Sequence, residues 1–463
     1  MLKKIAFALF VLLIGGGLYL YFSIANTARG GSGYAAKNIC SGHFLSGFSP
    51  ETVFEQALGG ASGPLARLTY DVDAESGTVT TRLYGLFERR AVFTPGIGCT
   101  LLPSGVEQGD LQVALFDAPP LPQDQAWPNG SGTPDLQEAF SGLIAEAFTE
   151  EDPNRLRHTK AVVVVHRGKL IAERYAEGVT FETTLLGWSM AKSVTAIMIG
   201  LLVGEERLQI DESAPVPLWR SEPNDPRAEI TLDQLLRMSS ALEFDETYTS
   251  ATDVTQMLSN EPDMAAFAAA KPLVGAPDTI WSYSSGTSNI LSAIIKSTVG
   301  GSLQSYYTFS QSRLFGPLGI RTATFEPDYS GNFVGSSYLY ASARDWARLG
   351  QLCLQNGVWN EQQLLPEGWV DYLIRPTPTT STNEYGAQFW LNRNSDDPER
   401  ERHFPGLPED AYYMSGFQGQ IVLVIPSHDL VITRFGFSPA RNHGIEQLAA
   451  SIIEALPIKS DES

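Results

Sequence analysis

Ser189 and Lys192 stand three residues apart in Gly187-Trp188-Ser189-Met190-Ala191-Lys192, and of the nine lysines in the chain Lys192 alone follows a serine at that distance. Positions i and i+3 of a helix share a face, so the hydroxyl and the amine can meet without help from a distant loop. The pair is a nucleophile with a base built in. An amine buried among apolar side chains loses affinity for its proton, and a neutral amine can take the proton of a serine. The residues that follow, Ser193-Val194-Thr195-Ala196-Ile197-Met198-Ile199-Gly200-Leu201-Leu202-Val203-Gly204, are apolar on nearly every side and predict a helix inside a domain. A surface helix with a solvated lysine satisfies the same spacing. Against it stands the cost of leaving an unpaired lysine at the mouth of a buried helix.

The elements that must hold this turn lie on both sides of it. Ahead of it, Thr133-Pro134 opens a predicted helix through Leu136, Phe140, Leu143, Ile144 and Phe148, and two strands follow, Ala161 to His166 and Lys169 to Tyr175, turned by Arg167-Gly168. From Leu208 to about Pro376 the patterns are mainly helical: Leu232 to Met238, Ile290 to Val299, Leu303 to Leu314 and Ala343 to Gln355. Strands return at Tyr412 to Ser415, Gln420 to Ile425 and Asp429 to Phe435, and a helix closes the chain from about Gly444 to Leu456. Strands at both ends with helices inserted between them predict an α+β domain whose two ends meet in one antiparallel sheet, flanked by helices and carrying a mainly helical subdomain.

The 463 residues divide by composition into a leader at 1–28, a small β-rich extension with its linker at 29–130, and a main domain at 131–463. In the extension, Ala66 to Asp73 and Thr78 to Phe87 read as strands joined at Glu75-Ser76-Gly77, with a further strand from Arg89 to Thr94. The leader has Met1-Leu2-Lys3-Lys4, an apolar run from Ile5 to Phe22 and then Ser23-Ile24-Ala25-Asn26, the pattern of an export signal. Residues 5–22 are also long enough to remain as a membrane tether, so the expected location is the periplasm, free or anchored, facing away from the cytoplasm. In an oxidising compartment Cys40 and Cys99, which flank the extension, are expected to pair and Cys353 to stay a buried thiol; three free cysteines are the alternative. A net charge of −20, from 52 acidic and 32 basic residues, excludes a nucleic-acid surface as the working expectation. No His-Glu-x-x-His cluster occurs, so no metal or other cofactor is expected. An α/β-hydrolase elbow would need Gly-x-Ser-x-Gly, and Gly187-Trp188-Ser189-Met190-Ala191 fails at its last position.

Several further stretches stand in a telling order: Trp281-Ser282-Tyr283-Ser284-Ser285, Leu314-Phe315-Gly316-Pro317-Leu318-Gly319-Ile320, Ala341-Ser342-Ala343-Arg344-Asp345-Trp346 and Tyr413-Met414-Ser415-Gly416-Phe417-Gln418-Gly419-Gln420. With Ser189-Met190-Ala191-Lys192, residues 133 to 456 resemble the serine β-lactamase-like and penicillin-binding-protein-like hydrolases, in particular the branch of class C β-lactamases, related esterases and 6-aminohexanoate-dimer hydrolases.

The resemblance implies a β-lactamase/transpeptidase-like fold and an acyl-enzyme mechanism with Ser189 as nucleophile and Lys192 and Tyr283 as proton carriers. It places the oxyanion against the backbone N–H groups of Ser189 and Phe417, and the substrate against Ser285, Ser415 and Gly416, with Asp245, Glu246 and Tyr248 lining the cleft. A phenol titrates near 10, so Tyr283 could serve as base near neutrality only if the Lys192 cation lowered that value. Two departures bear on substrate. Ser285 stands where the family often has asparagine, and Met414 where it often places a lysine or histidine that holds a carboxylate. Small-molecule esters or uncharged amides are therefore the expected substrates, with penicillins weak ones. The alternative is a non-catalytic envelope-binding protein that keeps the domain in degenerate form.

Overall fold

The computed structural model describes residues 25, 27–59, 66–106, 111–150, 152, 156–249, 252–397, 399–438 and 443–457. The apolar leader at 5–22 lies outside them. Among the described residues no helix is long and apolar enough to cross a membrane.

Residues 27–44 form a helix (α1) that the sequence does not announce, because its glycines and serines read as loop. Packing overrides propensity here. Ala35, Ala36, Ile39 and Cys40 are buried against Val79, Leu83, Phe87, Ala91 and Cys99 of a four-stranded antiparallel sheet, β1 (Leu68–Asp73), β2 (Thr78–Leu83), β3 (Phe87–Thr94) and β4 (Gly98–Leu101). The opposite side of α1 lies so close to the main domain that a Cβ at Gly33 would meet the Ser259 carbonyl oxygen at 2.5 Å. The Cys40–Cys99 disulfide ties the helix to β4, and Cys353 is a buried free thiol. The run predicted as one strand from Thr78 to Phe87 breaks at Tyr84 and Gly85, whose φ values of 56° and 71° turn the chain back into β3.

The first helix of the main domain begins later than predicted. Pro134 does not start a helix, because the Gln137 amide is drawn out to the Ile171 carbonyl at 2.8 Å; helical structure starts with a tight turn at Glu138–Phe140 and continues as α2 (Ser141–Glu146). Next come β5 (Thr159–His166), β6 (Lys169–Tyr175), the short β7 (Leu185–Leu186) and the helix α3 (Met190–Gly204). The helical region contributes α4 (Ser285–Thr298) and, after Leu303–Phe309, a wider π-helical turn at Ser310–Phe315 where one continuous helix was predicted. Then follow β8 (Thr324–Phe325), β9 (Leu339–Ala341), α5 (Ala343–Leu354), β10 (Trp390–Leu391), β11 (Tyr412–Gly416), β12 (Gln420–Ile425), β13 (Leu430–Gly436) and α6 (Ile445–Ala455).

The two ends of the domain do meet. The six-stranded sheet runs β10-β11-β12-β13-β5-β6, and β13 pairs antiparallel with β5, setting Val431 opposite Val165 and Ile432 opposite Val164. Strand alternation divides these valines between two cores. Val162 and Val164 face Phe140, Ile144, Leu448 and Ile452 on one side of the sheet; Val163 and Val165 join α3 and α5 on the other. Helix α3 is thus enclosed by the sheet and the helical region, with every residue from Met190 to Leu202 buried. The α+β architecture is the one the sequence predicts.

A buried ion pair joins the extension to the main domain. Lys37 on α1 bonds to Glu326, whose other oxygen accepts from Ser41 Oγ at 2.7 Å and from the Cys99 amide at 2.6 Å. Both side chains are almost wholly out of solvent. Removing one partner of such a pair strands the other charge without water, at a cost of about 3–5 kcal/mol. Glu326→Ala should therefore lower the free energy of urea unfolding by about that amount; an unchanged midpoint would show that the pair contributes nothing to the folded state.

Candidate active site

Three elements converge on one amine. The turn Gly187–Ser189 leads from β7 into α3, with the Gly187 amide donating to Leu339 of β9 at 2.9 Å and Trp188 held at a φ of 48°. A left-handed conformation at a tryptophan costs free energy that the surroundings must offset. Here the indole is clamped: Tyr34 of α1 stacks on it at 6.2 Å, Tyr338 lies at 6.0 Å and Phe417 meets it edge-on at 5.7 Å. Ser189 caps α3 without spending its hydroxyl on the helix backbone, which leaves Oγ free.

Lys192, one turn on, is 1% exposed. Its Nζ lies 3.1 Å from Ser189 Oγ, 3.0 Å from Ser285 Oγ and 3.0 Å from the Ser336 carbonyl oxygen. Helix α4 supplies one of these partners and holds a second. Ser285 is its first residue, and Asn289 on the same helix accepts from the Ser336 amide at 3.3 Å. Gln388 braces α3 to α4: its carbonyl takes the Ser193 hydroxyl at 2.6 Å and its side chain takes that of Ser288 at 2.8 Å. Burial pulls the Lys192 amine down to about 8, against an opposing influence from Glu246. A base available near neutrality is the result.

Tyr283 lies beside the pair, but its electrostatics run opposite to the sequence expectation. Burial, and after it the nearby Glu246 carboxylate, hold the phenol well above its ordinary value, while a hydrogen bond with Ser189 offsets this in part. The lysine does not lower it because Nζ sits over the face of the ring, 4.9 Å from its centroid. Tyr283 therefore keeps its proton at physiological pH, which argues against the phenolate form considered from sequence. Its ring is set by Trp390 at 5.4 Å and Tyr385 at 5.8 Å, one wall of an aromatic cleft.

The returning strand β11 lies backbone to backbone against the nucleophile turn. A Cβ at Gly416 would fall 2.1 Å from the Gly187 carbonyl oxygen, so only glycine allows this approach. Ser415 is half-buried beside it, and Phe417 follows in a tight turn at the strand end, with its ring edge-on to Trp188. Met414 points the other way, fully buried with Met190 and Ala191. At the mouth, Tyr248 is 55% exposed and stacks on the 52% exposed Phe417 at 6.3 Å, nearly parallel.

Not every residue singled out from sequence arrives here. Asp245 stays at the surface, where its carboxylate accepts from the Thr247 amide at 2.9 Å and shapes the loop. Its neighbour Glu246 is the one that enters: Oε1 accepts from Ser285 Oγ at 2.6 Å and from the Tyr248 hydroxyl at 3.1 Å, and Oε2 from the Ser285 amide at 2.7 Å. Sequence marks the segment but not which of two adjacent acids turns inward, and it gives no sign of the Ser336 carbonyl. Among the described residues no three His, Cys, Asp or Glu side chains come together as metal ligands would.

Comparison with known proteins agrees with the fold. A profile of the family described as Beta-lactamase matches residues 145–444. A 6-aminohexanoate-dimer hydrolase of Paenarthrobacter ureafaciens is 24% identical over 308 residues, 61% of this chain and 73% of that protein. In structure, a Bacillus anthracis protein provisionally named a 6-aminohexanoate-dimer hydrolase superposes with a TM-score of 0.54 at 24% identity, over 74% of this chain and 87% of that one. A penicillin-binding-protein homologue of Caulobacter crescentus gives 0.53 at 16% identity, over 70% and 99%.

The amine geometry has a pH signature. Below about 8 Lys192 is an ammonium with no lone pair for the Ser189 proton; above it the amine is neutral. The kcat/KM for a neutral ester should rise with pH through about 8 and then level off. A profile flat between pH 6 and pH 9, roughly the span over which this amine titrates, would remove Lys192 as the base.

Proposed function

The chain belongs to the beta-lactamase family, and on that premise we propose that it is an exported serine hydrolase that cleaves small uncharged esters or amides through an acyl-Ser189 intermediate. The observation that carries this reading is the buried Lys192 amine, 3.1 Å from Ser189 Oγ and titrating near 8.

In the first half-reaction Lys192 takes the Ser189 proton as Oγ adds to the substrate carbonyl carbon. The N–H groups of Ser189 and Phe417 receive the oxygen that becomes negative, worth about 10²–10³ in rate for a donor of this kind. As the carbonyl re-forms, the bond to the leaving group breaks and the Tyr283 hydroxyl supplies its proton. Water then adds to the acyl-enzyme, the Tyr283 phenolate so formed takes the proton of that water, and the Ser189 oxygen leaves with the proton that Lys192 has held. No net proton is consumed by the enzyme. A neutral tyrosine with a high pKa suits a donor in this scheme better than a base.

Substrate class follows from what surrounds the pair. At position 414, where the family often has a cation that holds a carboxylate, the chain has a methionine that is buried in the core, and the mouth is aromatic rather than charged at Tyr248 and Phe417. A relative named for a 6-aminohexanoate dimer supports a linear amide or its ester analogue over a β-lactam. For location, the leader pattern is supported by the Cys40–Cys99 disulfide, a bond that persists in oxidising compartments. A membrane tether through residues 5–22 belongs to the same proposal.

A fluorophosphonate probe should label Ser189 in the folded protein and not after heating, and Ser189→Ala should abolish both labelling and turnover. Tyr283→Phe should lower kcat by about 10²–10⁴. Short-chain p-nitrophenyl esters should be turned over faster than benzylpenicillin. A folded protein that takes no label and hydrolyses no activated ester would instead be a binding protein.

A further inference from the structure

A neutral lysine amine has two N–H donors and one lone pair. Around Lys192 stand three partners, and they are not equivalent. The Ser336 carbonyl can only accept, so it takes one N–H. The Ser189 and Ser285 hydroxyls, at 3.1 Å and 3.0 Å, can each either accept the second N–H or donate to the lone pair. Two arrangements result. In one, Ser189 points its proton at the amine and is ready to be deprotonated; in the other, Ser285 occupies the lone pair and Ser189 is left as an acceptor that cannot become a nucleophile.

Glu246 breaks this tie. Its Oε1 takes the Ser285 hydroxyl proton at 2.6 Å and its Oε2 takes the Ser285 amide proton at 2.7 Å. With its only hydroxyl proton committed, Ser285 can face Lys192 only as an acceptor, and the lone pair is left to Ser189. The carboxylate is itself fixed by the Tyr248 hydroxyl at 3.1 Å, and it lies at the N-terminus of α4, where the helix dipole favours a negative charge. We infer that Glu246 is a positioning residue, which acts through the Ser285 hydroxyl to aim the Lys192 lone pair at Ser189. The inference rests on the hydrolase reading of Ser189 and Lys192 and adds to it a residue outside the nucleophile, base and donor.

The arrangement also explains how the chain functions with a serine at 285. A hydroxyl can be turned either way, and the adjacent carboxylate removes that freedom. Glu246 has a second, separable influence: its charge opposes the effect of burial on Lys192. Among the described residues, the other titratable groups facing the amine and this carboxylate are phenols, Tyr283, Tyr248 and Tyr385. Loss of the carboxylate charge therefore lets the Lys192 value fall.

The test uses the full chain and kcat/KM for p-nitrophenyl butyrate across pH, with Ser189 labelling of the parent as its gate. In Glu246→Gln the high-pH plateau should drop about tenfold to a hundredfold, the scale of a misaligned reacting group. Its acid limb should move to lower pH than the parent's, a shift that a loosened fold would not produce. Ser285→Ala leaves one N–H without an acceptor and the lone pair undirected, and should lose a similar factor. Because Glu246 acts through Ser285, the double variant should fall no lower than Ser285→Ala alone. A parent-like plateau in Glu246→Gln, or losses that multiply in the double variant, would overturn the inference while leaving the hydrolase reading intact. An unlabelled parent sinks both. Should Glu246→Gln lose its cooperative melt, Ser285→Ala decides alone, and a parent-like plateau there has the same overturning force.

Discussion

A lysine amine shut away from water is the constraint on which this molecule is organised. Lys192 belongs to a helix whose residues are buried over more than three turns, so its nitrogen cannot be solvated and must find every partner inside the protein. An unsatisfied charge there would cost several kcal/mol, and the fold answers with two oxygens delivered by α4, one directly as Ser285 and one through Asn289 and Ser336. The same helix is bolted to α3 through Gln388. What lowers the proton affinity of the amine is therefore also what demands so exact a polar lining around it.

The cleft beside this amine is built from rings. Tyr283, Trp390 and Tyr385 form one side, and Trp188, Phe417 and Tyr248 the other. Rings keep their shape with two side-chain torsions each, which makes them rigid walls at low entropic cost. They also exclude water from Lys192 without offering a charge of either sign to a bound molecule.

How much of this can be read from sequence depends on whether the information is local. Ser189 and Lys192 are legible because one helical turn joins them. The sheet is legible because Thr159–His166 and Leu430–Gly436 are short apolar, β-branched runs at the two ends of the domain, the composition of strands buried on both faces. Glu246 is legible only as one of two adjacent acids in a cleft segment, since it stands 39 residues from Ser285 and looks no different in a string of letters from the solvent-facing Asp245. The direction of the Tyr283 shift is hidden for a similar reason: whether a cation meets the hydroxyl or the ring face is a matter of a few ångströms that spacing does not encode. Helix α1 is missed because glycine and serine weaken it as an isolated segment, and only its two packed faces make it a helix.

The Lys37–Glu326 pair joins residues 289 positions apart, and the chain is made from one end only. At roughly 5–20 residues per second, about 15–60 s separate the emergence of the two charges. Over that interval the α1 lysine has no partner, whereas Cys99 follows Cys40 by 59 residues and arrives far sooner. The extension must therefore exist first as a half-finished clasp, stapled to itself but with its buried cation still wet. Tyr34, which braces Trp188 beside the nucleophile, waits on the same clasp. The fold cannot take its final shape before the last third of the chain has come back to meet the first tenth, so the order of synthesis itself keeps the Ser189 turn without its full support until most of the chain has been made.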